Sequence, residues 1–317
     1  MTPPTGRLRL ATRGSPLAIW QAEHITSLLA AVGVEAEFVV VDTEGDRRTD
    51  VPLARLGGQG VFVKEVQAAV TRGDADAAVH SAKDLPAAVE LAAPGLVLAS
   101  FPERGDPRDV LVGARLDGLA TGTTVATGSA RRRVQLANLR PDLTFADLRG
   151  NLATRLARVG SDGVTAVVAA RAALDRLGWA PPAGMEIETL DPEAMVPQVA
   201  QGALAVECRV DDDTTRAALA AIDDATVRRV VEAERAFLAE LGGGCTLPVG
   251  AHAIDAVSDG RPDGDLVLTG MVAGADGHVV LRHTERGADG PALGRAVARY
   301  LLDDAGGSDL GPWRPES

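Results

Sequence analysis

Arginines stand where an acidic chain gains little from them: Arg131, Arg132 and Arg133 directly follow TVATGSA, and Arg149 and Arg155 lie in LRGNLATR. The apolar run and the Gly-Ser place the first three in the opening turn of a helix, where the positive end of the macrodipole disfavours cations. A compensating anion is therefore expected. Backbone N–H groups at a helix start, combined with guanidinium forks, suit carboxylate or phosphate, and two such turns suit a ligand with several acidic groups. A solvated basic face is the other reading of a single cluster, and the second cluster tips the balance towards a ligand. After ADAAVH comes Ser81-Ala82-Lys83-Asp84-Leu85-Pro86, a lysine and a carboxylate at the carboxyl end of a strand, the edge where open α/β sheets bind ligands. Alone, Lys83 and Asp84 read as a surface pair worth less than about 1 kcal/mol. Cys245, in LGGGCTLPVG, sits in loop chemistry and is a candidate for covalent work. Cys208 differs: the alternation Leu204, Val206, Cys208, Val210 puts it on the buried face of a strand, as a small hydrophobe.

The elements that must position these groups are legible in outline. LRLAT reads as a strand, then Ser15 suits an N-cap and Pro16 the first helical position. Leu17, Trp20, Ile25, Leu28, Leu29 and Val32 give that helix an apolar face, Gly33 ends it and EFVVV is the next strand. The polar stretch from Asp42 to Gly60 is too long for an ordinary connection and reads as a lid or mobile loop. A helix from Phe62 to Arg72, then the strands ADAAVH and LVLAS, complete a first α/β half. The pattern repeats as TTVAT with a helix from Ala130, LTFADL with a helix from Leu152, and VTAVVAA with a helix ending near Gly178. Segments near 101–110 and 190–202 read as crossings between the halves, with ALAVECRV returning a strand to the first, and paired crossings predict a hinged cleft. A helix from about Asp223 to Leu241 and the strands GAHAIDAV, DLVLTGMV and HVVLRHTE, with a hairpin turn at Asp276-Gly277, form a small α+β domain. The expected domains are 1–102 with 201–220, 103–200, and 221–317.

The chain has 317 residues, 46% hydrophobic and 24% charged, enough to bury its own cores. A formal net charge of -12 argues against a general nucleic-acid surface, so the arginines serve a local pocket. No apolar run approaches the roughly 20 residues of a membrane span, and MTPPTGRLRL lacks a signal-peptide core, so a soluble cytoplasmic protein with reduced thiols is expected. His24, His80 and His283 show no metal-ligand spacing, and no Walker A or GxGxxG pattern occurs, so no metal or nucleotide is expected.

In order along the chain, LATRGSPLAIWQA, LARLGGQGVFVKEV, AAVHSAKDLP, ERGDPRDVLV, TGSARRRVQLANLRPDL, LRGNLATRL, AQGALAVECR, AERAFL and GGGCTLPVG resemble the porphobilinogen deaminase family over about residues 7 to 255. Each segment alone is a weak signal and the ordered set is specific. The resemblance implies two doubly wound domains like periplasmic binding proteins and a small α+β C-terminal domain. It implies a transferase of haem biosynthesis that deaminates four porphobilinogen molecules and links them head to tail into hydroxymethylbilane. Cys245 is then the attachment point of a covalent dipyrromethane cofactor, Asp84 the catalytic carboxylate, and Arg13, Ser15, Ser81, Lys83, Ser129, Arg131, Arg132, Arg149, Arg155, Arg176 and Gln201 the cofactor- and substrate-binding set. A monomer is the family expectation. Gln59, Gly128 and Ala200 depart from the family pattern.

Other readings exist. Two α/β lobes with an arginine cleft suit a non-catalytic receptor for a polycarboxylate, which would need neither Asp84 nor a loop cysteine. A thiol hydrolase pairing Cys245 with His252 lacks an orienting acid, and His252 falls on a strand alternation.

Overall fold

Residues 7–43, 63–87, 93–242, 248–258 and 261–311 are described by a computed structural model. In chain order the first elements are β1 Leu8–Arg13, α1 Pro16–Ala31, β2 Ala36–Val41, α2 Lys64–Arg72, β3 Ala77–Ser81 and β4 Leu96–Ser100. There follow β5 Asp109–Gly113, β6 Thr124–Ala126, α3 Ala130–Leu139, β7 Thr144–Ala146, α4 Leu152–Leu156, β8 Val164–Ala170, α5 Arg171–Arg176 and β9 Glu186–Thr189. The chain continues with β10 Leu204–Arg209, α6 Asp213–Ala220, α7 Ala225–Glu240, β11 Val249–Ser258, β12 Arg261–Ala273, β13 Val280–Gly287 and α8 Gly290–Arg299. Two compact units result, Met1–Gly105 with Ala203–Arg229, and Asp106–Gly202 with Val230–Ser317.

The first unit holds a five-stranded sheet in the order β2-β1-β3-β10-β4. β1 runs parallel to β2 and β3, and β10 lies antiparallel to both β3 and β4. Helices cover both faces, as parallel crossovers require: Ile25 and Leu29 of α1 and Leu219 of α6 pack with Leu10, Val79 and Cys208, while Val66, Ala69 and Val70 of α2 pack with Ala11 and Ala78. α1 starts as its chemistry dictates, with Ser15 Oγ accepting from Ala18 N at 3.3 Å ahead of Pro16. Its buried face is not the expected one. Ala18, Gln21, Ala22, Ile25 and Leu29 face inward and Val32 is exposed, because small residues let the helix lie close to the sheet and Gln21 has a polar partner there. The alternation expected in β10 also gives way, since all of Leu204 to Cys208 are buried and Val210 lies beyond the strand, exposed. Cys208 is fully buried as expected, and burial, then the charge of Asp212, pushes its thiol up to about 11.

The second unit repeats the plan as β7-β6-β8-β5-β9, with β6 parallel to β7 and β8, and β5 antiparallel to β8 and β9. In both sheets the fourth strand is the one that follows a crossing. β5 and β9 were hidden in the sequence: DVLVG opens on an acid after a Pro-Arg, and EIET alternates charge along an edge. The same unit contains the meander β11-β12-β13, backed by α7 and α8. Val230, Val231, Phe237 and Leu238 form the buried stripe of α7, and a side chain at Gly294 of α8 would strike Ala233 O, so this glycine permits close helix packing. Among the described residues, no helix is long and apolar enough to cross a membrane.

Candidate functional site

In the first unit the carboxyl ends of β1 and β3 meet. Arg13, Gln21, Val63, Val79, His80, Ser81 and Asp84, with Ala18, line a small, partly open pocket. Ser81 ends β3 and accepts from Gln21 Nε2 at 2.8 Å. Ala82–Asp84 then form one 3-10 turn, held by Ala82 N donating to Ala203 O at 3.0 Å and Leu85 N to Ala82 O at 3.3 Å. Arg13, Ser81 and Asp84 are thus brought together, half-buried; Ser15 caps α1 and Lys83 is half-buried on the turn, both outside the pocket lining.

In the second unit Ser129 caps α3, accepting from Arg132 N at 3.4 Å. The anion expected at this helix start is a residue of the chain itself. Asp109, fully buried at the start of β5, takes Arg131 Nη1 at 2.7 Å on Oδ2 and Arg132 Nη2 at 2.8 Å on Oδ1. Gln201 Nε2 donates to the same Oδ1 at 2.9 Å and to Pro107 O at 2.7 Å. Burial would raise the pKa of Asp109; the charges of Arg131 and Arg132, with hydrogen bonds from Arg131 and Gln201, outweigh it and hold the carboxyl well below the usual range. Burial works the other way on Arg132, lowering its pKa against the pull of Asp109.

Asp109 does not use up the donors. Arg131 also gives Nη1 to Val196 O at 2.7 Å, yet its Nε and Nη2 are buried and meet no acceptor among the described residues. Orphaned guanidinium donors in a dry site are costly, and they are what an acidic ligand group would satisfy. Arg133 instead turns outward to Asp147 at 2.6 Å. Arg149 is exposed, Arg155 gives Nε to Gly150 O at 2.8 Å, and Arg176 gives Nη2 to Gly202 O at 2.7 Å, next to Gln201. At Gly128 a Cβ would meet Leu148 O at 2.5 Å, so only glycine fits ahead of the Ser129 cap.

Residues 243–247 with Cys245 and residues 44–62 with Gln59 lie outside the described residues, and with them all but Asp42 and Thr43 of the lid expected from Asp42 to Gly60. The strand that follows Cys245 is described. A Cβ on Gly250 of β11 would meet Pro197 O at 2.8 Å, Val196 O at 2.9 Å and Arg131 Cδ at 3.2 Å, so this strand lies against the arginine centre. Glu234 of α7, fully buried, joins the same parts: Oε2 accepts from Ala200 N at 2.7 Å and Oε1 from Ala253 N at 2.8 Å. Asp109 and Glu234 were missed in the sequence, although each stands in a segment of the resemblance, ERGDPRDVLV and AERAFL. The one local signal was Asp109 at the head of the apolar run VLV; Glu234, between Glu232 and Arg235, had none.

The porphobilinogen deaminase dipyromethane cofactor binding domain matches residues 8–217, and the porphobilinogen deaminase C-terminal domain matches residues 229–303. The chain is 43% identical over 307 residues to the porphobilinogen deaminase of Syntrophus aciditrophicus, covering 94% of this chain and 96% of that one. It is 46% identical over 304 residues to the porphobilinogen deaminase of Xanthomonas euvesicatoria pv. vesicatoria, covering 93% and 96%. Among solved structures it is similar to the methionine binding protein MetQ, at 14% identity and a TM-score of 0.43, over 70% of this chain and 92% of that one.

Proposed function

The chain belongs to the porphobilinogen deaminase family, and from that premise we infer that it deaminates porphobilinogen and joins four molecules head to tail into hydroxymethylbilane, in haem biosynthesis. Its cofactor is dipyrromethane, which when bound through Cys245 supplies the terminal pyrrole that accepts substrate units. The donor set fits such a group: each pyrrole brings acidic side chains, and guanidinium forks stay charged and bind carboxylate bidentately. Arg131, Arg132, Arg149, Arg155 and Arg176, with Ser129 and Gln201, are the acid-binding groups of the second unit, and Arg13, Ser15, Ser81 and Lys83 are the binding groups of the first. Asp84 acts on the reacting ring. Loss of ammonia and carbon–carbon bond formation place positive charge on pyrrole nitrogens, and a fixed carboxylate stabilises that charge and accepts a proton.

The observation that carries this reading is Arg131, buried with unmet donors and packed beside Gly250, five residues beyond Cys245. A site for an acidic group next to the strand leading from the attachment cysteine is what a covalently tethered polycarboxylate requires. The domain division 1–102 with 201–220, 103–200 and 221–317 belongs to the same proposal, supported by three separate sheets. So do a monomer, which is the family expectation, a cytoplasmic location, and a small-molecule substrate without nucleic acid, the last supported by the acidic charge balance.

The experiment is the intact mass of the purified chain under denaturing conditions, with peptide mapping around Cys245. We expect an excess equal to two linked porphobilinogen-derived units on Cys245, and none on the Cys245→Ser variant. A wild-type chain that stays unmodified after incubation with porphobilinogen and with hydroxymethylbilane would overturn the reading in favour of a ligand receptor.

A further inference from the structure

Beside the pocket of the first unit lies a polar cluster that the proposed chemistry leaves unused. His80, Glu207 and Gln67 are 5%, 7% and 8% exposed, on the sheet face that packs against α2. His80 Nε2 stands 3.1 Å from Glu207 Oε2, an ion-pair distance without the alignment of a hydrogen bond, and Gln67 Nε2 donates to the same oxygen at 2.8 Å. The surroundings are apolar, with Val66, Val70 and Ala78 nearby on that face. Burying a carboxylate there is costly, and an apolar side chain would fill the space more favourably. The cluster therefore needs a reason other than stability.

Its place supplies one. The three residues come from α2, β3 and β10; β3 and the residue that leads into α2 line the pocket. Val63, immediately before α2, lines the pocket, as do His80 itself and its neighbour Ser81. The turn bearing Asp84 begins one residue further on and is tied by Ala82 N to Ala203 O, at the start of β10. The Gln67 hydrogen bond ties the start of α2 to Glu207 of β10, and the same carboxylate faces His80 near the end of β3 at ion-pair distance. Those are the two edges between which Asp84 is presented.

We propose that His80 and Glu207 are a buried positioning pair for Asp84, setting the geometry of the pocket in which the carboxylate meets the reacting pyrrole. This rests on the reading of Asp84 given above. The pair acts through the turn and not on the acidic side chains of the ligand, so it governs turnover more than covalent loading or substrate affinity. A misplacement of about 1 Å at a reacting group costs on the order of a hundredfold in rate.

The test compares His80→Phe, His80→Gln and Glu207→Gln with wild type in kcat, KM, thermal midpoint and intact mass. His80→Phe keeps an aromatic ring, slightly larger than imidazole, and loses both nitrogens; kcat is expected to fall ten- to a hundredfold, with KM within threefold and dipyrromethane loading complete. His80→Gln restores a hydrogen-bonding group and should recover part of the rate at a similar thermal midpoint. If His80→Phe does not fold, Glu207→Gln, close to isosteric and able to keep Gln67, carries the same test and should lower kcat at least fivefold. A kcat within twofold of wild type in the folded variants, or losses that follow thermal midpoint alone, would overturn the proposal. Absence of turnover and loading in the wild type would instead remove the deaminase reading, so the two failures are distinguishable.

Discussion

In the first five-stranded sheet the antiparallel fourth strand, β10, contributes Glu207, facing a histidine and an amide; in the second the corresponding strand, β5, contributes Asp109, facing two arginines and an amide. The same position of the same plan supplies a buried carboxylate in both units. What differs is the partner. Two fixed cations hold Asp109 ionised and make it the anchor of α3, whereas Glu207 faces His80 and Gln67 and lies beside the pocket where Asp84 stands half-buried. Topology decides where a buried charge sits, and its partners decide whether it holds structure or serves a neighbouring reactive group. The first unit keeps Asp84 open to a pocket, and the second leaves two donors of the buried Arg131 without an acceptor among the described residues.

Replacing the open carboxylate and the closed one should therefore fail in different ways. Asp84→Ala removes preorganised charge stabilisation and should lower kcat about a thousandfold, with loading by hydroxymethylbilane and thermal midpoint close to wild type. Turnover within tenfold of wild type would take Asp84 out of the chemistry and break the comparison at its first term. Asp109→Asn leaves two buried arginines without a counter-charge and should cost about 3–5 kcal/mol of stability, read as a lower urea midpoint, together with poor loading. A stable Asp109→Asn chain that loads normally would mean that Asp109 only occupies space which the ligand otherwise fills. The pH dependence has a defined sign. Because Asp109 ionises more readily folded than unfolded, its contribution is complete above the ordinary carboxylate range, about pH 3.9, and is lost as pH falls from there through the folded value. Wild-type stability should drop over that acid interval, and Asp109→Asn should flatten the drop.

What was legible in the sequence was local. Ser15-Pro16, Ser129 and the glycine turns announced their helix starts and stops because capping involves residues three or four apart. The hairpin at Asp276-Gly277 was legible for the same reason: Gly277 has φ 77° and Asp276 Oδ1 accepts from His278 N. The arginines at the start of α3 were visible as a cost, yet their partner Asp109 lies 22 residues back, and nothing local links the two. α1 shows the same limit. Ranked by hydrophobicity its buried face should include Leu17 and Trp20, but Gln21 is buried because Ser81 receives it from 60 residues away. Polar contacts between distant segments set the site, and periodicity carries no information about them.

The smallest expected effect sharpens the contrast in how each site is mounted. Among the described residues Asp162 and Ala200 are the non-glycine positions with positive φ, and Ala200, at φ 58°, is fully buried immediately before Gln201. The left-handed conformation costs a residue with a Cβ about 1–2 kcal/mol, and here Glu234 holds it through Ala200 N while Gln201 reaches Asp109. Ala200→Gly removes that cost and adds backbone freedom to the unfolded chain, worth about 0.5–1 kcal/mol in the other direction. The balance favours the variant by up to about 1.5 kcal/mol, seen as a higher urea midpoint at unchanged slope. If the midpoint rises and turnover is unaltered, the strain is a tolerated by-product of the turn. If it rises while turnover falls, the strained turn itself holds Gln201 and Asp109 in register with the arginines, a device for which the Asp84 turn, without a positive-φ residue, has no counterpart.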